Sequence, residues 1–140
     1  MQVSLAVEIY HEETALAFAH GHLLMITPDL TSAKDDPDAR YWHCDITHAD
    51  ELSWSEKVRE LFGIATDFRV TRDWAAAQYA EPSKAALERV RTYAIDKKLG
   101  FILDAAIRAD GASDRSIRVL AVPIVKNGRV VALHGLKRAL

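Results

Sequence analysis

Cys44 is the only cysteine of the chain, and a thiolate is both a nucleophile and a metal ligand. It falls in Tyr41-Trp42-His43-Cys44-Asp45-Ile46, whose alternation predicts a strand with Trp42, Cys44 and Ile46 on one face. A free cysteine beside a tryptophan on such a face reads as a small buried hydrophobe. The histidines are His11, His20, His22, His43, His48 and His134. His20 and His22 could offer two imidazoles to a metal, with Glu12 and Glu13 upstream, but a site needs a further ligand that no spacing supplies. Ser53, Ser55, Asp45 and Asp104 bring hydroxyls and carboxylates without the spacing of a triad. Asp45 suits a strand end bonding the next turn, and Asp104, between Leu103 and Ala105, suits a solvent face. The six glycines fall at turns and helix ends, so there is no Gly-rich phosphate loop. The expectation is a protein that is not an enzyme, with no catalytic residue and no metal ligand.

The totals agree. A chain of 140 residues with 49% apolar and 27% charged residues suits one soluble globular domain. A net charge of −2 gives no basic footprint for nucleic acid or an anionic membrane. Lys137 and Arg138 are two basic residues near the end, not a patch. The start, Met1-Gln2-Val3-Ser4-Leu5, lacks the pattern of a secretory leader. No apolar run is long enough for a transmembrane helix. With a single cysteine and therefore no internal disulfide, a cytoplasmic location is expected.

The elements that must position these residues follow from periodicity and punctuation. Over residues 3–25, Val3, Val7, Tyr10, Thr14 and Ala17 recur at helical steps and predict an amphipathic helix with Gly21 as its stop, after which Leu23-Leu24-Met25-Ile26 forms an apolar patch. Val3, Leu5, Val7 and Ile9 also alternate, so a strand over residues 2–10 competes with it. Residues 27–39 form a polar linker with two prolines. After the Tyr41–Ile46 strand comes a turn over Thr47–Asp50, then a short strand, Glu51-Leu52-Ser53-Trp54. Ser55 caps a helix that ends at Gly63. A helical turn covers Asp73–Tyr79, and Pro82 opens a longer helix to about Lys98, with Leu87, Val90, Tyr93 and Ala94 in its apolar period. Three strands follow, joined by the turn signals Asp110-Gly111 and Asn127-Gly128.

This order resembles the PAS domain, in the variant whose first strand carries Trp and whose second ends Trp-Ser. Trp42-His43-Cys44-Asp45-Ile46 is similar to the first strand and Leu52-Ser53-Trp54-Ser55 to the second. Leu61-Phe62-Gly63 stands at the end of the first helix. Ile107-Arg108-Ala109-Asp110-Gly111 resembles the Arg-x-x-Asp-Gly turn, and Asn127-Gly128-Arg129-Val130 the last hairpin. Leu133-His134-Gly135-Leu136 stands where the last strand reads apolar-x-Gly-apolar. The likeness covers about residues 39–139. Glu81-Pro82-Ser83 replaces the usual His-Pro-Asp, and Ser116-Ile117 lacks an aromatic. The chain also reaches Leu140 without the Asp-Ile-Thr that leads into an output domain, so a stand-alone module acting in trans is expected.

The resemblance implies an α+β fold: a five-stranded antiparallel sheet with helices on one face, to which the reading above adds the N-terminal amphipathic helix. Residues 1–38 are then an N-terminal helix and linker, and residues 39–140 the PAS-like domain. It also implies a cavity between sheet and helices. Trp42, Phe62, Trp74, Tyr79, Tyr93, Phe101 and Leu103 converge there, and either fill a core or line a pocket kept open by Ala75, Ala76, Ala77, Ala105 and Ala121. The cofactor is unknown. The Asn-Cys-Arg-Phe-Leu-Gln run of flavin-adduct members is absent, and residues 82–98 hold no histidine for haem, so neither is expected. The function implied is a sensory or regulatory module in bacterial-type signal transduction, which binds a small ligand or a signalling protein partner. A homodimer through the N-terminal helix is expected, without nucleic acid or membrane as partner. The alternatives are a small pocket-containing α+β enzyme and a purely structural dimerisation module.

Overall fold

The computed structural model describes residues 21–108 and 114–140 in full and residues 6–8 as backbone. In chain order the elements are β1 (Ala6–Glu8), β2 (Gly21–Leu24), α1 (Thr31–Lys34), β3 (Tyr41–Asp45), β4 (Glu51–Trp54), α2 (Glu56–Leu61), α3 (Arg72–Ala77), α4 (Glu81–Lys97), β5 (Gly100–Ile107), β6 (Arg115–Lys126) and β7 (Arg129–Ala139). All pairings are antiparallel, in one sheet ordered β1-β2-β5-β6-β7-β3-β4. The five expected strands are β3 to β7, and they are contiguous in that sheet.

Ala6–Glu8 is a strand, as the competing reading of residues 2–10 had it; Gly21–Leu24, which begins at the expected helix stop, is a strand too, and residues 9–20 lie outside the described residues. Ala6–Glu8 and Gly21–Leu24 are extended and pair with each other, so the sheet has seven strands rather than five. Val7 lies on β1, whereas Val3, Tyr10, Thr14 and Ala17 lie outside the described residues. The reason at β2 is tertiary. It pairs with β5 from Gly21↔Leu103 to Leu24↔Gly100, which buries Leu23 and Leu24. The boundary drawn at residue 38 therefore falls between two strands of one sheet.

Elsewhere local chemistry sets the element ends. The Ser55 hydroxyl accepts from the Val58 amide at 3.3 Å and caps α2. Asp45 accepts from the Thr47 amide at 3.1 Å, bonding the turn after β3. Pro82 sits in the first turn of α4. Asn127 and Gly128 both take positive φ, 52° and 74°, the backbone a tight two-residue hairpin requires. The Asp110-Gly111 turn lies outside the described residues.

Period-two alternation then sorts the strands into two faces. Phe101, Leu103, Ala105 and Ile107 of β5, Ile117, Val119 and Ala121 of β6, and Trp42 and Cys44 of β3 are buried on the inner face. Helices α2 to α4 cover that face through Val58, Ala75, Val90 and Ala94. On the outer face Asp104 accepts two bonds from Arg118, at 2.7 and 2.9 Å. No helix among the described residues is long and apolar enough to cross a membrane.

Candidate functional site

The inner face of β7 follows the same alternation: Leu133, Gly135, Lys137. Gly135 lets the strands approach closely, because a Cβ there would stand 1.6 Å from the Leu120 carbonyl oxygen. The Trp42 indole crosses this gap and its Nε1–H donates to the Leu120 carbonyl at 3.2 Å. Two residues on, the same face carries a lysine.

Lys137 is 7% exposed. Its Nζ stands 4.7 Å from the centre of the Trp54 ring, 5.4 Å from those of Trp42 and Phe62, and 5.6 Å from that of Tyr79. These rings come from β4, β3, the end of α2 and the segment before α4. Ring faces attract a cation, and more strongly once water is excluded. Burial acts against the charge and draws the Lys137 pKa down from its ordinary 10.5 to about 7, with Cys44 opposing the fall. Among the described residues no carboxylate pairs with this ammonium.

Beside it lies a cavity of about 60 Å³ between the sheet and helices α3 and α4. Trp42, Cys44, Tyr79, Phe101, Leu133 and Lys137 form its inner wall. The Tyr79 hydroxyl is buried without a hydrogen-bond partner, and burial raises its pKa. The Trp54 indole N–H is buried and unpartnered as well. Burial also raises the Cys44 pKa, against the pull of Arg91, which keeps the thiol protonated. Its Sγ lies 3.9 Å from Asp50 Oδ1. The cationic residues further out are tied: Arg72 to Glu88, and Arg91 to Asp50 at 2.9 Å.

Of the residues expected to line a pocket, Trp42, Tyr79 and Phe101 form the cavity wall. Phe62 and Leu103 are buried in the core, Phe62 against the Trp54 ring at 4.4 Å. Trp74 is half-buried between Phe68 and Trp54, with ring centres 4.9 and 6.0 Å away. Tyr93 is a correction: it is exposed, with Lys97 over its ring. It stands about 120° round α4 from Leu87, off the stripe that Leu87, Val90 and Ala94 turn inward. His43 and His134 face each other across β3 and β7 on the outer face, where the Tyr41 hydroxyl meets His134 Nδ1 at 2.7 Å. Burial lowers the His134 pKa, and His43 adds to this. His11, His20, Glu12 and Glu13 lie outside the described residues.

The fold has counterparts among solved structures. An RNA-binding light-oxygen-voltage receptor superposes with a TM-score of 0.64 at 14% identity over 71% of this chain, and the match spans 28% of that receptor. The N-terminal domain of a diguanylate cyclase with PAS/PAC sensor from Marinobacter aquaeolei superposes with a TM-score of 0.61 at 14% identity, over 71% of this chain and 92% of that one. A light-oxygen-voltage domain studied with a flavin analogue gives 0.61 and 14%, over 79% and 84% of the two chains. The chain has the PAS fold. No protein-family model and no curated protein matches the sequence. The structure carries the assignment by itself: in this PAS fold the two early strands and the three late ones close on each other through β3 and β7.

The PAS resemblance led to the aromatic wall but not to Lys137. The signal was nonetheless present. Once Leu133 and Gly135 are set on the inner face, alternation sets Lys137 there too. A lysine so close to the end of a chain reads as solvated, which hid it.

Proposed function

We propose that this PAS-fold module is a sensor that takes a small molecule into the cavity beneath α3 and α4 and passes the change to a partner in trans, in the cytoplasm. The observation that carries this reading is the cavity itself, an apolar space lined by a buried lysine that has no ion-pair partner among the described residues and by a tyrosine whose buried hydroxyl has no hydrogen-bond partner among them. Pockets that bind small molecules combine apolar walls with a few such polar groups. The reading is of a binder rather than a catalyst. The Cys44 thiol is held protonated, and Arg72 and Arg91 are neutralised by their own ion pairs.

The size of the cavity favours a ligand much smaller than a flavin. Pockets that take drug-sized molecules measure roughly 300–1,000 Å³, against about 60 Å³ here. Cys44 sits on a strand in the cavity wall, which does not suit the helix-borne adduct cysteine of flavin-binding relatives.

The test is a fragment library screened by two-dimensional amide NMR against the wild type and Ala75→Leu, in which a larger side chain fills the cavity. Ligands that shift cavity residues in the wild type and not in the filled variant support the reading. A library whose hits all bind elsewhere sinks it.

Pairing of two copies belongs to the same proposal. The outer sheet face carries half-buried Ile102, Leu120 and Leu136 on neighbouring strands β5, β6 and β7. Light scattering should give twice the mass of one chain, and a monomer at tens of micromolar would remove this part.

A further inference from the structure

We propose that Lys137 is the anchor of the cavity and selects a short-chain carboxylate, whose head accepts from Nζ and from the Tyr79 hydroxyl while its alkyl part lies against Trp42, Phe101 and Leu133. This rests on the reading of the cavity as a ligand site and adds the class of ligand.

The cavity lining holds three basic side chains, Arg72, Arg91 and Lys137, against one acidic side chain, Glu88. Glu88 is taken by Arg72, and Arg91 by Asp50, so among the described residues Lys137 has no counter-ion. The groups that face it are Cys44 from β3 and Tyr79 from the segment before α4, with Trp54 and Phe62 presenting rings. None of these is a carboxylate. Four ring faces attract the ammonium but accept no conventional hydrogen bond and carry no negative charge. A carboxylate supplies two acceptor oxygens and the missing negative charge in a water-poor site, where a charge-assisted bond is strong. An alcohol supplies no charge, and an amine would repel Lys137. The small cavity restricts the rest of the ligand to a short apolar chain.

The experiment titrates sodium butyrate and n-butanol separately into the wild type, Lys137→Met and Tyr79→Phe at constant ionic strength, followed by amide NMR. Butyrate should shift cavity residues of the wild type and bind at least about tenfold more tightly than n-butanol. Lys137→Met should lose about tenfold or more of butyrate affinity and leave n-butanol unchanged, with Tyr79→Phe losing a smaller factor. Raising the pH from about 6 to about 9 should weaken butyrate binding to the wild type and to Tyr79→Phe but not to Lys137→Met, as the ammonium gives up its proton. Equal binding of acid and alcohol, or undiminished butyrate binding by a well-dispersed Lys137→Met, overturns the anchor and leaves the cavity reading standing. Failure of both probes to shift any cavity residue overturns the proposal, and the fragment screen then decides the cavity reading separately.

Discussion

Lys137 Nζ stands 4.7 Å from the centre of the Trp54 ring, and the indole N–H of that same ring is buried without a partner. A cation and an orphaned donor thus share one enclosure. Both would be served by an acceptor, and in its absence both cost stability.

The first expectation follows for the pH dependence of folding. The Lys137 pKa is lowered to about 7 in the folded state from an ordinary 10.5. Between those values the unfolded chain binds more protons, so this group makes stability rise with pH. Below the folded pKa the full cost of burying the ammonium is paid, and above the unfolded pKa it vanishes. Urea unfolding of the wild type should show a gain on the order of a few kcal/mol from about pH 7 to pH 10. Lys137→Met should flatten that rise and exceed the wild type in stability at about pH 7. A slope equal in both proteins would refute the assignment to Lys137.

Tyr79→Phe removes a hydroxyl that is buried and bonded to nothing. Loss of an unsatisfied polar group leaves the ring packing against Phe62 intact, at 6.2 Å between centres. The variant should be as stable as the wild type or more so by about 1 kcal/mol. A loss of that size would mean that the hydroxyl has a partner in solution.

Two glycines should respond to alanine for different reasons. At Gly135 the added Cβ meets the backbone oxygen of Leu120 at 1.6 Å, in the middle of the β6–β7 pairing, so the strands must part. A loss of about 3 kcal/mol or more, or insoluble protein, is expected. At Gly128 nothing lies within 4 Å and only the positive φ of 74° resists. There the loss should be about 1 kcal/mol. Paired urea melts check the order, and equal losses would contradict it.

Ser55→Ala deletes the hydroxyl that accepts from the Val58 amide at the start of α2. About 1 kcal/mol should be lost. The effect on the cavity should be nil, because Ser55 is not in its wall. Amide shifts confined to the start of α2 would confirm that locality.

What could be read from the sequence was what neighbouring residues decide among themselves. Ser55, Pro82 and Asn127-Gly128 set an N-cap, a helix start and a hairpin by their own hydrogen bonds and dihedral limits, and each stands where expected. Alternation put Trp42 and Cys44 on one face and His134 on the other. These preferences act over a few bonds, so one sequence suffices to see them. Tertiary structure decided the rest. Gly21–Leu24 is a strand because β5, some eighty residues later, offers it a free edge. Tyr93 keeps helical spacing yet faces out, since the burial stripe of α4 is set by where the sheet lies. Lys137 is an ordinary lysine until rings from four separate segments close over it. Desolvation and cation–ring attraction depend on what surrounds a group in space, and that environment exists only once the chain has folded.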